Sequence, residues 1–84
     1  MYEIIIVPIA KKQIDKLPKE TKERILSALE RIRVRPHAFV EKLVNEQGYK
    51  FRVGDYRILL DIIERELVIL VVKVGHRRNI YKKK

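Results

Sequence analysis

Residues 49–63 read YKFRVGDYRILLDII, and the pattern of this segment predicts two strands of a sheet. Apolar residues alternate with cations from Tyr49 to Val53, which is the period of a strand with one buried face. Gly54-Asp55 is a turn pair, and a nearly all-apolar strand follows from Tyr56 to Ile63. Glu64-Arg65-Glu66 predicts a second turn before a last strand from Leu67 to Val74. The three strands are therefore predicted to form an antiparallel meander with short hairpins.

The first hairpin predicts a cationic face. If Gly54-Asp55 is a two-residue turn, Arg52 lies directly opposite Arg57, and Lys50 shares their face by alternation. The other face carries the apolar partners that must meet the helices: Tyr49, Phe51, Val53, Tyr56 and Ile58. The alternative is that these cations have only a structural role, because exposed strands often carry lysine and arginine for solubility. In that interpretation Asp61, which has the same parity as Arg57, neutralises it.

The first half of the chain predicts a strand and two helices. A β-branched segment from Tyr2 to Val7 stops at Pro8. A short helix then places Ala10, Ile14 and Leu17 on one face, and a longer one, closed by Pro36, does the same with Ile25, Leu29 and Ile32. The connection over residues 36–48 has weak signals, and the pairs Phe39-Val40 and Leu43-Val44 are expected to pin it to the core.

These elements predict a single α+β domain over residues 1–84. An N-terminal strand and a two-helix hairpin pack on one face of a mainly antiparallel four-stranded sheet, and a basic C-terminal tail leaves the sheet. His37, next to Pro36, is expected to be a helix-end residue without a catalytic role.

The charge of the chain indicates its partners. Twenty lysines and arginines against 11 acids give a formal net charge of +9 and a pI near 10.0. Such a balance favours nucleic acid, an anionic membrane or an acidic protein. The longest apolar run is far shorter than the roughly 20 residues of a membrane helix. No signal peptide is expected, and the absence of cysteine fits a reducing cytoplasm.

The C-terminal segment, residues 73–84, holds no acid and gathers groups that together suggest chemistry on RNA. Its cations, histidine and tyrosine are Lys73, His76, Arg77, Arg78, Tyr81 and Lys82–Lys84. The cations suit a polyphosphate backbone, and His76 and Tyr81 can move protons. The alternative is a polybasic terminus in which Tyr81 is only an apolar anchor.

Other chemistries find little support. The three aspartates are scattered over helix, turn and strand, so no acid cluster for Mg²⁺ is predicted. No glycine-rich phosphate loop, nucleotide-binding fingerprint or zinc spacing occurs. We therefore expect no metal and no cofactor.

Two segments resemble a known family. Residues 49–58, YKFRVGDYRI, and residues 72–78, VKVGHRR, followed by Tyr81, are similar to the RelE/ParE superfamily, the toxins of type II toxin–antitoxin modules. The resemblance covers essentially the whole chain. It implies a microbial RNase-like fold in a cytoplasmic protein that a small RelB-like antitoxin holds inactive. It also implies a toxin–antitoxin heterotetramer or a larger complex, with mRNA on the ribosome as the target.

RelE-type members cleave mRNA in the ribosomal A site without a metal, so the resemblance also implies site residues. The predicted catalytic set is Arg57, Arg77, Tyr81 and Lys50 from the resemblance, with His76 added because an imidazole can move protons. The predicted RNA-binding set is Lys50, Arg52, Arg57 and Arg77 from the resemblance, with Lys73 and Arg78 added for their charge. Arg57 and Arg77 would clamp the phosphate and Tyr81 would accept the 2′-OH proton, while Lys50 or His76 protonates the leaving oxygen.

Two departures from the RelE pattern stand out. Arg52 occupies a position where the ribonucleases favour lysine, and the interval from Arg77 to Tyr81 is shortened. Two other functions stay open: a ParE-like, non-enzymatic inhibitor of DNA gyrase, and a basic RNA- or ribosome-binding module. The presence of Lys50, Arg57, Arg77 and Tyr81 together favours the ribonuclease.

Overall fold

A computed structural model describes residues 1–76, so the predicted site residues Arg77, Arg78 and Tyr81 lie outside the described part of the chain. The sheet has five strands in the order β1-β5-β4-β3-β2. The strands are β1 (Glu3–Ile6), β2 (Glu41–Lys42), β3 (Tyr49–Val53), β4 (Tyr56–Ile63) and β5 (Val68–His76). β1 runs parallel to β5, and the other three pairs are antiparallel.

The β3–β4 hairpin confirms the register expected from the sequence. Val53 pairs with Tyr56, and Arg52 pairs with Arg57. Gly54 has φ of +58°, as the first central position of a type II′ turn requires. β4 is the middle strand of the sheet, so Arg57 sits in a central strand.

A bulge changes the phase of β5. Leu60 pairs with Val71 and Leu59 pairs with Lys73, which leaves Val72 as the extra residue. Val71 before the bulge and Val74 after it are both buried in the core, although they are three residues apart. The bulge therefore lets Lys73 leave the core face, to which strict alternation with Val71 would assign it.

Two helices cover one face of the sheet: α1 (Pro8–Asp15) and α2 (Lys19–Arg31). Pro8 opens α1 at a position where its missing N–H costs nothing. α1 lies on β5, and its Gln13 side chain accepts a hydrogen bond of 2.8 Å from the Val74 backbone N–H just after the bulge. The helical hairpin thus fixes the strand end that carries Lys73.

The core lies between the helices and this face of the sheet. Its fully buried members come from both layers: Ala10, Ile14, Ile25, Leu29, Ile32, Ile58, Leu60, Ile69 and Val71. The apolar stripes predicted for both helices are confirmed by this burial. The opposite face of the sheet, here called the open face, has no helix packed on it within residues 1–76.

The structure corrects three details. The sheet has five strands rather than four, because β2 adds a two-residue edge pairing to β3. α2 ends at Arg31, and Pro36 instead begins a 3₁₀ turn (Pro36–Ala38). In the connection, Val40 packs against the core, but Phe39 is 50% exposed and Val44 is 82% exposed. These two do not pin the connection, since they face solvent.

Candidate nucleic-acid interface

Two rows of residues cross the open face of the sheet. One row joins Lys50, Leu59 and Lys73, and the next joins Arg52, Arg57 and Gly75. Neighbouring strands lie about 4.8 Å apart, so each row spans roughly 10 Å. The rows bring together four of the predicted site residues from three strands, and Gly75 adds no side chain beyond Arg57.

A cavity of about 240 Å³ opens at the β2–β3 side of these rows. It is lined by Phe39, Glu41, Lys50, Arg52 and Arg57. Three cations against one acid make it an electropositive pocket, with one aromatic ring at its margin. Such a lining suits a phosphate with an attached base.

Arg57 is the least satisfied group of the site. Its Nε and Nη1 atoms are buried, and neither has a hydrogen-bond partner within residues 1–76. The structural alternative, neutralisation by Asp61, does not occur in the described chain: Asp61 instead accepts a 2.9 Å hydrogen bond from the Ile62 backbone N–H. Two buried nitrogen donors without an acceptor are costly, so an anion that supplied the acceptors here would be stabilised.

Lys50 is held in place by an acid that sequence reasoning missed. Its Nζ lies 3.3 Å from Glu41 Oε1, since β2 pairs Glu41 directly with Lys50. Phe39, the second missed residue, stands half-exposed at the cavity margin. A two-residue strand gives no periodic signal, and Phe39 beside Val40 is typical of a core contact, so the sequence predicts neither Glu41 nor Phe39 at the site.

His76 lies apart from the cavity. It is the last residue of β5 and pairs with Tyr56, and the two rings meet edge to face with centroids 5.5 Å apart. Tyr56 packs against the core, so this contact is on the helix-covered side of the sheet, whereas Arg57 is on the open face. The structure therefore does not bring His76 together with Lys50 and Arg57.

A separate polar cluster joins β4's far end to the N-terminus. Tyr2 Oη donates a 2.7 Å hydrogen bond to Glu64, and His37 Nε2 pairs with the other oxygen of the same carboxylate. The hydrogen bond with His37, and to a lesser degree the one from Tyr2, lowers the pKa of Glu64. The hydrogen bond to Glu64 raises the pKa of Tyr2. His37 also meets the Tyr49 ring edge to face. Its contacts are structural ones that tie the connection to the sheet.

Within residues 1–76, no group of three or more His, Asp or Glu side chains is arranged to hold a metal ion. In the same part of the chain, neither helix is long and apolar enough to span a membrane.

The comparison with protein families shows which family this chain belongs to. The model of the ParE toxin of type II toxin–antitoxin systems matches residues 4–81. The chain belongs to the ParE toxin family. This places it in the RelE/ParE superfamily, as the strand motifs indicated. It is thus a toxin of the type II toxin–antitoxin class on a RelE fold. No curated protein sequence matches the chain.

Solved structures of RelE proteins share its fold. The RelBE2 toxin–antitoxin complex of Mycobacterium tuberculosis matches with a TM-score of 0.83 and 23% identity, over 90% of this chain and 98% of that one. The intact Escherichia coli RelBE complex matches with a TM-score of 0.78 and 25% identity, over 90% and 96%. The archaeal RelE–RelB complex of Pyrococcus horikoshii matches with 0.76 and 24%, over 93% and 97%.

Proposed function

We propose that this toxin is a ribosome-dependent, metal-independent mRNA endonuclease that cleaves in the A site. The observation that carries the proposal is Arg57, whose Nε and Nη1 atoms are buried without an acceptor in the described chain, beside a cationic cavity of about 240 Å³. A phosphate supplies the missing acceptors and the neutralising charge together. Arginine recognises phosphate through forked, charge-assisted hydrogen bonds.

The reaction requires one nucleophile and two proton transfers. The ribose 2′-oxygen attacks the adjacent phosphorus while its proton passes to a base. Negative charge then builds on the phosphorane oxygens, where Arg57 donates its hydrogen bonds. The 5′-oxygen leaves with a proton from an acid, so the products are a 2′,3′-cyclic phosphate and a 5′-hydroxyl. One well-placed donor to such an oxyanion contributes roughly 3–4 kcal/mol to the lowering of the barrier.

The proton carriers are assigned from the sequence and from the cavity lining. Lys50 lines the cavity and is oriented by Glu41, which favours it over His76 as the acid for the 5′-oxygen. Tyr81 is proposed as the base and Arg77 as the second clamp on the phosphate; both lie outside the described residues. Arg52, exposed in the same cavity, binds the strand electrostatically.

We further propose that an acidic or amphipathic RelB-like antitoxin neutralises this toxin by covering the cationic open face. The net charge of +9 and the RelB–RelE complexes among the fold's relatives support such a partner. A toxin–antitoxin heterotetramer or larger complex is the expected assembly. Action on translating ribosomes implies a cytoplasmic protein.

A second candidate is inhibition of DNA gyrase without catalysis. One observation favours it: the family model that matches the chain is that of the toxin of parDE systems. In this case the cationic face binds protein or DNA, and the Arg57 guanidinium meets a carboxylate or a DNA phosphate rather than a scissile RNA phosphate.

The deciding experiment adds the purified protein to ribosomes paused on a defined mRNA and maps the new ends by primer extension, with Tyr81→Phe in parallel. The proposal predicts ends within the A-site codon and a cleavage rate about 100-fold or more lower for the variant. Intact mRNA, together with inhibited supercoiling by purified gyrase, would establish the second candidate instead. In cells, the ribonuclease arrests translation first, whereas the gyrase inhibitor arrests DNA replication first.

A further inference from the structure

A second, larger cationic cleft lies between α2 and the outer edge of β3. Its volume is about 490 Å³, and its lining includes Arg24, Arg31, Arg52, Phe39 and Phe51. Arg24 and Arg31 are seven residues apart on α2, so they lie on one side of the helix about two turns apart. Three guanidinium groups therefore converge on one cleft.

Neither helix arginine has a carboxylate partner within residues 1–76, although other cations near them do. Arg33 pairs with Glu30 at 2.8 Å, and Lys22 pairs with Asp15 at 3.0 Å. Arg24 instead packs over the β3–β4 turn, where a Cβ added to Gly54 would lie 3.4 Å from its Nη1 atom. The described lining of the cleft contains no acid, so the cleft keeps its positive charge.

The cleft is continuous with the site proposed above. Arg52 and Phe39 line both cavities. β2 covers β3 only at Tyr49 and Lys50, so the outer edge of Phe51–Val53 has no strand neighbour in the described chain. A bound RNA strand can therefore run from Arg57 around this edge to Arg24, because no helix or strand of the described fold covers the path.

We infer that this cleft is a second RNA subsite, which holds the substrate strand beyond the scissile phosphate. Arg24 and Arg31 bind backbone phosphates, and the half-exposed Phe39 ring stacks on a base between the two cavities. The inference rests on the proposed function, because it extends the path of the same RNA strand. An RNA is favoured over an acidic peptide because an aromatic ring stands between two groups of arginines, which matches alternating bases and phosphates.

The test measures binding separately from cleavage. Fully 2′-O-methylated RNA lacks the attacking hydroxyl, so fluorescence anisotropy with such oligonucleotides of 4 and 12 nucleotides reports affinity alone. Arg24→Gln/Arg31→Gln is compared with the wild type and with Lys12→Gln/Arg65→Gln. The control removes the same charge at exposed residues of α1 and of the β4–β5 turn. Thermal melts followed by circular dichroism establish that each variant is folded. If Arg24→Gln disturbs the β3–β4 turn, Arg24→Lys serves as a second variant, because it keeps the positive charge.

The subsite predicts a specific pattern. The Arg24→Gln/Arg31→Gln variant binds the 12-mer at least 10-fold more weakly and binds the 4-mer like the control. The slope of its log K against log salt concentration is shallower by about 1.4, because each of the two lost phosphate contacts on a single strand contributes about 0.7. Phe39→Ala and Phe39→Leu each weaken 12-mer binding about 5-fold or more, since leucine keeps the apolar bulk but not the ring.

Equal 12-mer affinity for the arginine variant and its control would overturn the subsite while leaving cleavage on ribosomes, and thus the proposed function, intact. A wild-type protein that neither binds RNA nor cleaves it would overturn both. A cleft that serves an acidic protein would instead show arginine-dependent binding of a 12-residue polyglutamate peptide, with RNA affinity unchanged. Full RNA affinity in Phe39→Leu would show that the Phe39 ring does not stack on a base.

Discussion

The two faces of the sheet use the same strands but satisfy their residues differently. On the helix-covered face, Ile58 and Ile69 are fully buried and make all their contacts within the chain. On the open face, the neighbouring Arg57 has two buried nitrogen atoms with no acceptor in the described chain. One face is thus complete in the isolated toxin, and the other leaves donors that an anion would satisfy. The first face stabilises the fold, and the second carries the proposed function.

The largest expected effect separates adjacent residues of β4. Ile58→Ala, on the covered face, should lower the free energy of unfolding by about 2–5 kcal/mol, because it leaves a cavity in the core. Leu59→Ala, on the open face, should cost roughly 1 kcal/mol, since Leu59 is only partly buried. Urea denaturation measures both. Equal losses would show that the open face is packed as tightly as the core.

The second prediction concerns Arg57 and separates activity from stability. Arg57→Leu should lower the cleavage rate about 100- to 1,000-fold, since it removes the donor to the phosphorane oxygens. It should also raise the free energy of unfolding by about 1 kcal/mol, because two buried nitrogen donors that have no acceptor in the described chain are removed. Single-turnover cleavage and urea denaturation give the two values. A variant that loses both stability and activity would mark Arg57 as a structural residue.

The third prediction tests the β3–β4 turn, which sets the register of the two strands. Gly54→Ala should cost about 1–2 kcal/mol, because alanine is strained at φ of +58°. Asp55→Ala, at the neighbouring exposed position with φ below zero, is the matched control and should change stability little. Thermal unfolding of both variants measures the difference. Similar melting temperatures for the two would show that the turn does not depend on the left-handed residue.

The smallest effect is the acid dependence of the cluster around Glu64. Hydrogen bonds from His37 and Tyr2 lower the pKa of Glu64 from its ordinary value of 4.5. A carboxylate with a lowered pKa stabilises the fold above the unfolded-state value, and that contribution is lost as the pH falls through the folded-state pKa. Glu64→Gln should therefore narrow the stability difference between pH 7 and pH 3. Denaturation curves of wild type and variant at both pH values provide the check, and an unchanged difference would contradict it.

The sequence predicted the faces well because short-range alternation determines them. The β3–β4 turn pairs Arg52 with Arg57, and both the turn length and the cationic parity are visible in residues 49–58. The parts that were missed depend on contacts between distant segments. β2 is only two residues long, so its pairing with Tyr49 and Lys50 has no local signature in the sequence. For that reason Glu41 and Phe39 were not predicted as residues of the cavity.

The position of His76 was beyond sequence reasoning for a different reason. β5 is apolar almost throughout, so its alternation does not reveal where the bulge at Val72 changes the phase. That phase change keeps Lys73 on the open face and pairs His76 with Tyr56 on the other. The proposal of Lys50 rather than His76 as the acid rests in part on this single extra residue. The contributions of Arg77 and Tyr81 stay predictions.

The most direct test of the central claim, that the open face is completed by an RNA phosphate at Arg57, is single-turnover cleavage of a defined mRNA on paused ribosomes. Arg57→Leu is compared with Arg65→Leu, which makes the same change at an exposed arginine of the β4–β5 turn. We expect cleavage in the A-site codon by the wild type and by Arg65→Leu, and a cleavage rate at least 100-fold lower for Arg57→Leu. Cleavage by Arg57→Leu at the wild-type rate would contradict it.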